Sequence, residues 1–232
     1  MKCFAFVFAR GGSKGVPGKN IRHFVDRPLL AHAIGAASKV SEIERTFVST
    51  DSQEIADIAQ VFGATVIPRP PELAKDESPE WLSWKHAIQW VRQNIDNFEC
   101  FVSLPTTSPM RLPVDVRQCI LALEGGVDVV LTITQAQRNP WFNMVKKDAA
   151  EYLSLLVSDK CGVIRRQDAP QAFDLTTLAY VARPDFIMGH ESLWQGKVRG
   201  VLIPQERSID IDTEYDFRVA EFLMRERLRV EK

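Results

Sequence analysis

The residues whose types and spacing best fit chemistry stand in a glycine-rich loop directly after the first apolar run of the chain. Glycine lets a backbone come close to a ligand and turn its N–H groups inward, and nearby cations offset the charge of phosphate groups. The loop has neither the GxxxxGK[ST] nor the GxGxxG spacing, so it predicts a polyphosphate site unlike that of a P-loop ATPase or a dinucleotide-binding dehydrogenase. A flexible, solvated loop is the alternative interpretation. The loop contains four glycines and three cations within ten residues: Arg10, Gly11, Gly12, Lys14, Gly15, Gly18 and Lys19.

Two carboxylates near the C-terminal end of the chain, Asp210 and Asp212, form a second candidate site. Side chains at positions i and i+2 of an extended segment point to the same side, so these carboxylates would repel each other unless a cation lay between them. Hard oxygen ligands combined with phosphate suit Mg²⁺, and the pair therefore predicts a magnesium site. The alternative is that Asp212 only caps the last helix, where Thr213 to Asp216 form a capping-box pattern.

Further polar residues follow the third and fourth predicted strands. Arg69 and Asp76 either contact a base or ribose or belong to a surface loop. Thr107, Ser108 and Arg111 either hold a polar substrate or form a proline-stiffened turn. The histidines are isolated in the sequence, and no Ser/His/Asp or Cys/His order indicates a nucleophilic catalyst.

Short apolar runs, which predict strands, alternate along the chain with segments of helical periodicity. The strands and helices so predicted would position the candidate site residues. This alternation predicts stacked β-α-β units in a doubly wound sheet, which binds ligands at the carboxyl ends of its strands. The predicted strands are Cys3–Ala9, Thr46–Thr50, Ala64–Ile67, Cys100–Leu104, Asp128–Thr134, Leu178–Val181 and Val201–Pro204. The predicted helices are Leu29–Val40, Ser52–Phe62, Val114–Leu123, one capped by Ser78 that runs to about Val91, and one that begins at Thr213.

The alternation breaks between about residues 135 and 174, in a polar segment rich in charged residues. Compact domains seldom carry about 40 irregular residues without a function for them. A surface excursion and a dimerisation arm both fit this segment. The chain has no internal repeat and no low-complexity linker, so residues 1–232 are predicted to form one domain.

Composition and charge limit the classes of partner. The 29 Lys and Arg residues nearly balance the 30 Asp and Glu residues, and the net charge of −1 provides no basic field for nucleic acid or a membrane surface. The longest apolar run is far shorter than the roughly 20 residues that cross a bilayer, and it lacks the preceding positive charge of a secretory signal. The four scattered cysteines predict neither a zinc site nor a disulfide framework, so a reducing cytoplasm is the expected compartment.

Six motifs, in chain order, resemble those of the acylneuraminate cytidylyltransferases (CMP-sialic acid synthetases) and of their bacterial relatives that act on other 2-keto sugar acids. The resemblance implies an α/β, Rossmann-like doubly wound mixed sheet of the nucleotide-diphosphosugar transferase type. It also implies a nucleotidyltransferase that uses CTP, a small acidic sugar and Mg²⁺. The enzyme would be a homodimer whose exchanged arm, about residues 135–174, completes the partner's active site. The motifs are Ala9–Asn20, Val48–Asp51, Arg69–Asp76, Thr107–Arg111, Pro170–Phe173 and Ile209–Glu214.

The resemblance further implies roles for individual residues. Lys19, Arg10 and Asp212 would be catalytic, and Asp210 would bind Mg²⁺ together with Asp212. The CTP-binding residues would be Arg10, Gly11, Gly12, Ser13, Lys14, Lys19, Asn20, Arg69 and Asp76. The sugar-binding residues would be Thr107, Ser108, Arg111, Gln171, Phe173, Thr176, Tyr180 and, reaching the partner's pocket, Arg166.

Two departures from the family pattern fall on the sugar side of the site. The chain has Pro105-Thr106-Thr107-Ser108-Pro109 where sialic acid enzymes usually have Gln-Pro-Thr-Ser-Pro, and Thr176–Tyr180 in place of Asn-Gly-Ala-Ile-Tyr. The phosphate and metal motifs are intact, so a cytidylyl transfer is predicted while the sugar, a nonulosonate or an octulosonate, stays open. The alternatives are a nucleotidyltransferase with a sugar-phosphate acceptor and a catalytically silent nucleotide-binding subunit.

Overall fold

A seven-stranded mixed β-sheet is the centre of the structure, a computed structural model that describes residues 1–12, 15–158 and 164–230. The strands are β1 Cys3–Phe8, β2 His23–Phe24, β3 Arg27–Pro28, β4 Ile43–Thr50, β5 Thr65–Pro68, β6 Cys100–Ser103, β7 Val129–Gln135, β8 Val145–Lys147, β9 Leu153–Leu155, β10 Phe173–Ala182 and β11 Val198–Leu202. The helices are α1 Leu29–Ala37, α2 Gln53–Val61, α3 Glu80–Asn94, α4 Pro113–Ala122, α5 Pro184–Gly189 and α6 Glu214–Val230.

The strand order in the main sheet is β11-β7-β10-β6-β1-β4-β5. All neighbouring pairs are parallel except those of β10, which runs antiparallel to both β6 and β7. The strands β2 and β3 pair with each other, as do β8 and β9. The predicted doubly wound mixed sheet is therefore confirmed.

Strand β1 shows why the sheet is covered by helices on both faces. Its odd-numbered residues, such as Ala5 and Val7, pack with side chains of α1, α2 and α4, whereas Phe4 and Phe6 pack with those of α3 and α5. Alternate strand residues point to opposite faces, so a continuous apolar run is buried on both sides. Each fully buried Phe contributes roughly 1.5–3 kcal/mol to this packing.

Several predicted boundaries were wrong. The strand β11 begins at Val198 instead of Val201, because Val198–Leu202 pairs with β7 despite containing Arg199 and Gly200. The strand β10 begins at Phe173, inside the segment predicted to be irregular, and β8 and β9 form a hairpin there. The short helix α5 was not predicted from the sequence. Among the described residues, every helix is too short or too polar to cross a bilayer.

A third apolar cluster holds the two candidate motifs beside each other. Val16 of the glycine-rich loop and Ile211 between the two aspartates are both fully buried in it. They pack with Phe217 and Met224 of α6. Helix α6 therefore positions the aspartate segment against the loop that follows β1.

A bulge in β10 shapes the sugar side of the predicted site. Thr176 pairs with Thr132 and Tyr180 pairs with Leu131, so residues 177–179 have no counterpart on β7. The Thr176 hydroxyl donates to Thr132 Oγ1 at 2.6 Å, and the Thr132 hydroxyl also accepts from the Ala179 backbone N–H at 3.3 Å. Bulges commonly redirect side chains next to functional sites, and this one turns Thr177 towards the loop after β6.

Candidate functional site

A cleft of about 410 Å³ lies at the carboxyl edge of the sheet, where the loops after β1, β5 and β6 meet the start of α3 and the segment before α6. Ligands of open α/β sheets bind at this edge. The structure thus brings together residues that are far apart in sequence. The predicted site residues that line the cleft are Arg10, Lys19, Asn20, Arg69, Asp76, Thr107 and Asp212.

The glycine-rich loop contacts the aspartate segment directly. A Cβ atom built on Gly15 would overlap the backbone oxygen of Asp212, so this close approach requires glycine. The Lys19 ammonium donates to the backbone oxygen of Ile211 at 2.5 Å. Burial lowers the pKa of Lys19, and the negative charges of Asp212 and Asp210 partly oppose that shift. Lys19 and Asp212 therefore line the cleft together, whereas Asp210 lies near enough for its charge to act on Lys19 but does not line the cleft.

The start of α6 excludes the interpretation that Asp212 only caps the last helix. The Thr213 hydroxyl accepts from the Asp216 backbone N–H at 3.2 Å, and the Asp216 carboxylate accepts from the Thr213 backbone N–H at 2.8 Å. This reciprocal arrangement is a capping box. Capping therefore does not use the Asp212 carboxylate, which is exposed and lines the cleft.

The aspartate pair fits a magnesium ion that is shared with phosphate. Asp212 provides an accessible carboxylate, while Oδ1 of Asp210 is buried without a hydrogen-bond partner in the described part of the chain. No group of three or more His, Cys, Asp or Glu side chains suited to a metal occurs among residues 1–12, 15–158 and 164–230. Mg²⁺ is typically held by one or two carboxylates plus substrate phosphates and water, and the donors present match that pattern.

Arg10 and Asn20 join the loops around the cleft. The Arg10 guanidinium pairs with the Asp76 carboxylate at 2.7 Å and donates to the Ala74 backbone oxygen at 3.3 Å. The Asn20 amide donates to the backbone oxygen of Arg10 at 3.0 Å and accepts from the Thr106 hydroxyl at 2.6 Å. The cleft walls contributed by β1, β5 and β6 are thus tied together.

Arg69 forms a rigid part of the cleft wall. It is buried, and its guanidinium donates to the Ser49 hydroxyl at 3.1 Å and to the Ser49 backbone oxygen at 2.7 Å. It also lies 5.6 Å from the centre of the Phe8 ring, within the range of a cation–π contact. Burial lowers the pKa of Arg69, while the Asp51 and Glu80 charges raise it.

The loop after β6 and the β10 bulge meet through hydroxyl groups. The Ser108 hydroxyl lies 2.7 Å from the Thr177 hydroxyl, and the Thr107 hydroxyl lies 3.4 Å from it. The Ile211 backbone N–H donates to the Thr107 backbone oxygen at 2.9 Å. Thr177 was not predicted as a site residue. The sequence feature that could have indicated Thr177 is that it stands where the family pattern has glycine.

Arg111 and Thr176 do not line the cleft; both are buried behind it and form hydrogen bonds that hold β10 and its neighbours in place. Arg111 is almost completely buried and donates to the backbone oxygens of Leu178, at 2.9 Å, and of Pro105. Burial lowers the pKa of Arg111 to about 9, opposed by the charges of Asp210 and Asp115. Thr176 is buried, and its hydroxyl donates to the Thr132 hydroxyl at the β10 bulge.

Other predicted site residues lie outside the cleft within this single chain. Arg166, Gln171 and Phe173 line a separate surface cavity, and the exposed Arg166 donates to the Gln137 backbone oxygen at 2.9 Å. Tyr180 packs against Trp84 with ring centres 5.6 Å apart, and burial raises its pKa to about 12.

The first residues of the glycine-rich loop are only partly described. Gly11 and Gly12 are exposed, and the Gly11 backbone N–H donates to the Asp51 carboxylate at 3.0 Å. Ser13 and Lys14 lie outside the described residues. The cleft also includes residues that were not predicted, among them Phe8, Ser83 and Glu80.

Comparisons with known proteins find cytidylyltransferases among the relatives of this chain. A family model described as Cytidylyltransferase matches residues 4–80. The chain is 31% identical to the CMP-N,N'-diacetyllegionaminic acid synthase of Campylobacter jejuni, over 94% of this chain and 93% of the relative. It is also 31% identical to the Post-translational flagellin modification protein B of Campylobacter coli, over 95% and 94%. An N-acylneuraminate cytidylyltransferase of Streptococcus agalactiae is 27% identical over 94% of this chain and 52% of the relative.

Solved structures share the fold. A CMP:2-keto-3-deoxy-manno-octonic acid synthetase complexed with CTP superposes with a TM-score of 0.70 at 18% identity, covering 98% of this chain and 100% of that one. The 4-diphosphocytidyl-2C-methyl-D-erythritol synthase of Anaerococcus prevotii gives a TM-score of 0.65 at 14% identity, covering 96% and 98%. The chain therefore has the same fold as these two synthases.

Proposed function

Because the chain belongs to the acylneuraminate cytidylyltransferase family, we propose that it joins CTP to a 2-keto-3-deoxy sugar acid. The products are the CMP-sugar and pyrophosphate, and the acceptor is a sialic acid-like nonulosonate or an octulosonate. The observation that carries the proposal is the convergence of Lys19, Gly15 and Asp212 on the wall of the cleft. A loop with cations and a carboxylate at the same place is what a metal-bound triphosphate requires.

The reaction is an in-line displacement at phosphorus. The anomeric hydroxyl oxygen of the sugar forms a bond to the α-phosphorus of CTP, and the bond from that phosphorus to the bridging oxygen of pyrophosphate breaks. The hydroxyl proton leaves to solvent or to a carboxylate. Catalysis then consists mostly of positioning and charge stabilisation, which Lys19 and Arg10 provide from the loop after β1.

Asp210 and Asp212 are the residues that would hold Mg²⁺. When bound there, the ion supplies positive charge to the phosphate oxygens. The chain's own contribution is to keep the two carboxylates in place, and it does so by burying Ile211 between them and by the bond from Lys19 to Ile211. The Ile211 backbone N–H, held by Thr107, connects the same segment to the loop on the sugar side.

The enzyme is proposed to act as a homodimer whose active sites are shared between subunits. The segment that contains the β8–β9 hairpin exposes many large apolar side chains, which is typical of an interaction surface. In the single chain, Arg166 on this segment lies outside the cleft. The exposed apolar residues of the arm and its return strand are Met144, Val145, Tyr152, Leu153, Leu156, Ile164, Phe173 and Leu175.

The cytoplasm is the proposed compartment, because CTP is an intracellular substrate and the described cysteines are free. Cys3, Cys100 and Cys119 are all buried thiols. Buried, unpaired thiols fit a reducing environment.

Release of pyrophosphate with a panel of acceptors tests the proposed reaction. Sialic, deaminated sialic, legionaminic, pseudaminic and octulosonic acids are incubated with CTP and Mg²⁺, and a sugar 1-phosphate serves as the competing acceptor class. We expect steady pyrophosphate release with at least one acid and none with the sugar phosphate. Binding of CTP without turnover on any acceptor would contradict the proposal and indicate a silent nucleotide-binding subunit.

A further inference from the structure

Part of the cleft wall differs in character from the part that Lys19 and Asp212 form. It includes the ring of Phe8, the guanidinium of Arg69 and the side chain of Leu73, with Glu80 beside them. An aromatic ring and a planar guanidinium suit the flat face of a base, whereas a triphosphate suits the part with Lys19 and Asp212. A nucleotide bound along the cleft would therefore place its base near Glu80.

The Glu80 carboxylate has one oxygen available for a ligand. Glu80 is the first residue of α3, and its Oε1 accepts a hydrogen bond from Trp84 Nε1 at 3.2 Å. In the part of the chain that the structure describes, no other group donates to this carboxylate. Arg69 is close enough for its charge to act on Glu80. The side chain is thus anchored through one oxygen while it lines the cleft.

A carboxylate discriminates between pyrimidines by what stands at carbon 4. The 4-amino group of cytosine donates hydrogen bonds, and acidic side chains are its usual partners. Uracil has a carbonyl oxygen at the same position, which a carboxylate repels. An acceptor without donors of its own therefore favours cytosine over uracil.

We propose that Glu80 determines the specificity of the cleft for cytosine by accepting a hydrogen bond from the 4-amino group of CTP. This inference rests on the proposed function, because it assigns the base of the nucleotide that the proposed reaction consumes. It names a residue that neither the motifs nor their spacing indicated.

The electrostatics of Glu80 agree with a ligand donor at this place. Loss of solvation in the concave cleft raises the pKa of Glu80, while the Trp84 hydrogen bond and the Arg69 charge lower it. The side chain keeps surface exposed towards the cleft, so an N–H donor of a ligand can reach the free carboxylate oxygen. The amino group of cytosine is such a donor.

Equilibrium binding of three nucleotides to wild type and Glu80→Gln tests the proposal. The nucleotides are CTP, UTP and the triphosphate of the pyrimidin-2-one riboside, which is CTP without its 4-amino group. A glutamine amide can turn either its oxygen or its NH₂ towards the base, so it does not distinguish an amine from a carbonyl. We expect wild type to prefer CTP to both analogues, and Glu80→Gln to reduce each preference about tenfold, in line with the usual value of a base-edge contact.

Glu77→Gln is the matched control, since Glu77 is exposed and does not line the cleft. It should keep the wild-type preference. If Glu80→Gln fails to fold by circular dichroism, Glu80→Asp provides the measurement, because it keeps the charge at the start of α3 and withdraws the carboxylate by one methylene. It should lose the preference as well.

Two results would overturn the inference. One is a Glu80→Gln protein that keeps its preference for CTP within twofold, and the other is a change confined to the KM of the sugar acid. The binding assay needs no acceptor, so it is independent of the proposed reaction. Failure of that reaction would instead leave wild-type protein without any CMP-sugar product, whatever its preference among nucleotides.

Discussion

Lys19 is the residue whose place in the structure most directly suggests a role in the transition state. It lines the cleft, half-buried, with its ammonium already oriented by the Ile211 backbone oxygen. A preoriented cation stabilises charge that develops during the reaction more than charge already present in bound CTP. Lys19→Ala should therefore lower kcat by roughly 10²–10³-fold and raise the KM for CTP far less.

Steady-state kinetics with CTP as the varied substrate measures this split. Lys19→Arg, which retains the positive charge, is the control and should recover part of kcat. A variant whose KM rises while kcat stays unchanged would show that Lys19 only holds the nucleotide.

Asp212 carries the second prediction at this scale. Because Thr213 and Asp216 make the helix cap, Asp212→Asn should leave the fold intact and remove one hard anionic ligand. We expect turnover to fall by orders of magnitude while thermal unfolding stays near that of wild type. Asp216→Ala, by contrast, removes part of the cap of α6 and should lower the free energy of unfolding by about 1 kcal/mol. Near-normal turnover by a folded Asp212→Asn protein would refute the metal assignment.

Residue types and spacing alone indicated several of the residues that line the cleft. Lys19 and Asp212 were found from the sequence because a cationic glycine loop and an Asp-x-Asp pair are local patterns. Thr177 and Glu80 were not found, since their positions depend on the β10 bulge and on the first turn of α3. Arg111 was predicted to contact substrate, but its burial under two backbone carbonyls depends on β10, which lies far along the chain.

At the scale of elements, the contact between the loop after β1 and the segment before α6 is the critical one. Gly15 lies against the backbone oxygen of Asp212, and Val16 and Ile211 pack in one cluster. Gly15→Ala should push the loop away from the aspartates and so separate the proposed triphosphate-binding loop from the proposed metal ligands. We expect kcat/KM for CTP to fall at least tenfold, with the fold retained.

Gly189→Ala is the matched control for this change. Gly189 ends α5 away from the cleft, and an added Cβ there has open space around it. It should have no effect on kcat/KM. Wild-type kinetics for Gly15→Ala would mean that the loop and the aspartates need not touch during turnover.

The strands that could be predicted are those with a continuous apolar run. The strand β1 was predicted as Cys3–Ala9 and is observed as Cys3–Phe8. It could be predicted because its alternate residues pack against helices on both faces of the sheet, which requires a continuous apolar run. The strands β8 and β9 have only three residues each, all exposed except the half-buried Leu155, and no apolar run marks them. The β10 bulge depends on Thr132, far from Thr176 in sequence, so no local pattern could reveal it.

At the scale of the whole molecule, the proposal that subunits share their active sites predicts the behaviour of mixed dimers. Arg166→Ala removes the proposed guanidinium for the sugar carboxylate, and Lys19→Ala disables the proposed nucleotide site. An arginine fork suits a carboxylate, so Arg166→Ala should raise the KM for the sugar acid and leave CTP binding unchanged. If Arg166 acts across the interface, a heterodimer of the two variants contains one intact site.

Heterodimers purified through two different affinity tags should therefore recover up to half of the wild-type activity per dimer. Each homodimer, purified in the same way, is the control and should stay nearly inactive when the sugar acid is kept well below the raised KM of Arg166→Ala. Heterodimers with no more activity than the homodimers would refute the shared site and place Arg166 in its own subunit's reaction.

The central claim is that the chain transfers a cytidylyl group to the anomeric oxygen of a sugar acid. The most direct measurement is ³¹P nuclear magnetic resonance of a reaction containing CTP, Mg²⁺ and the acceptor selected by the pyrophosphate assay. We predict that the three CTP resonances decline while one phosphodiester resonance and pyrophosphate grow in equal amounts. Formation of CMP and pyrophosphate without a phosphodiester, or of CDP and phosphate, would contradict the claim.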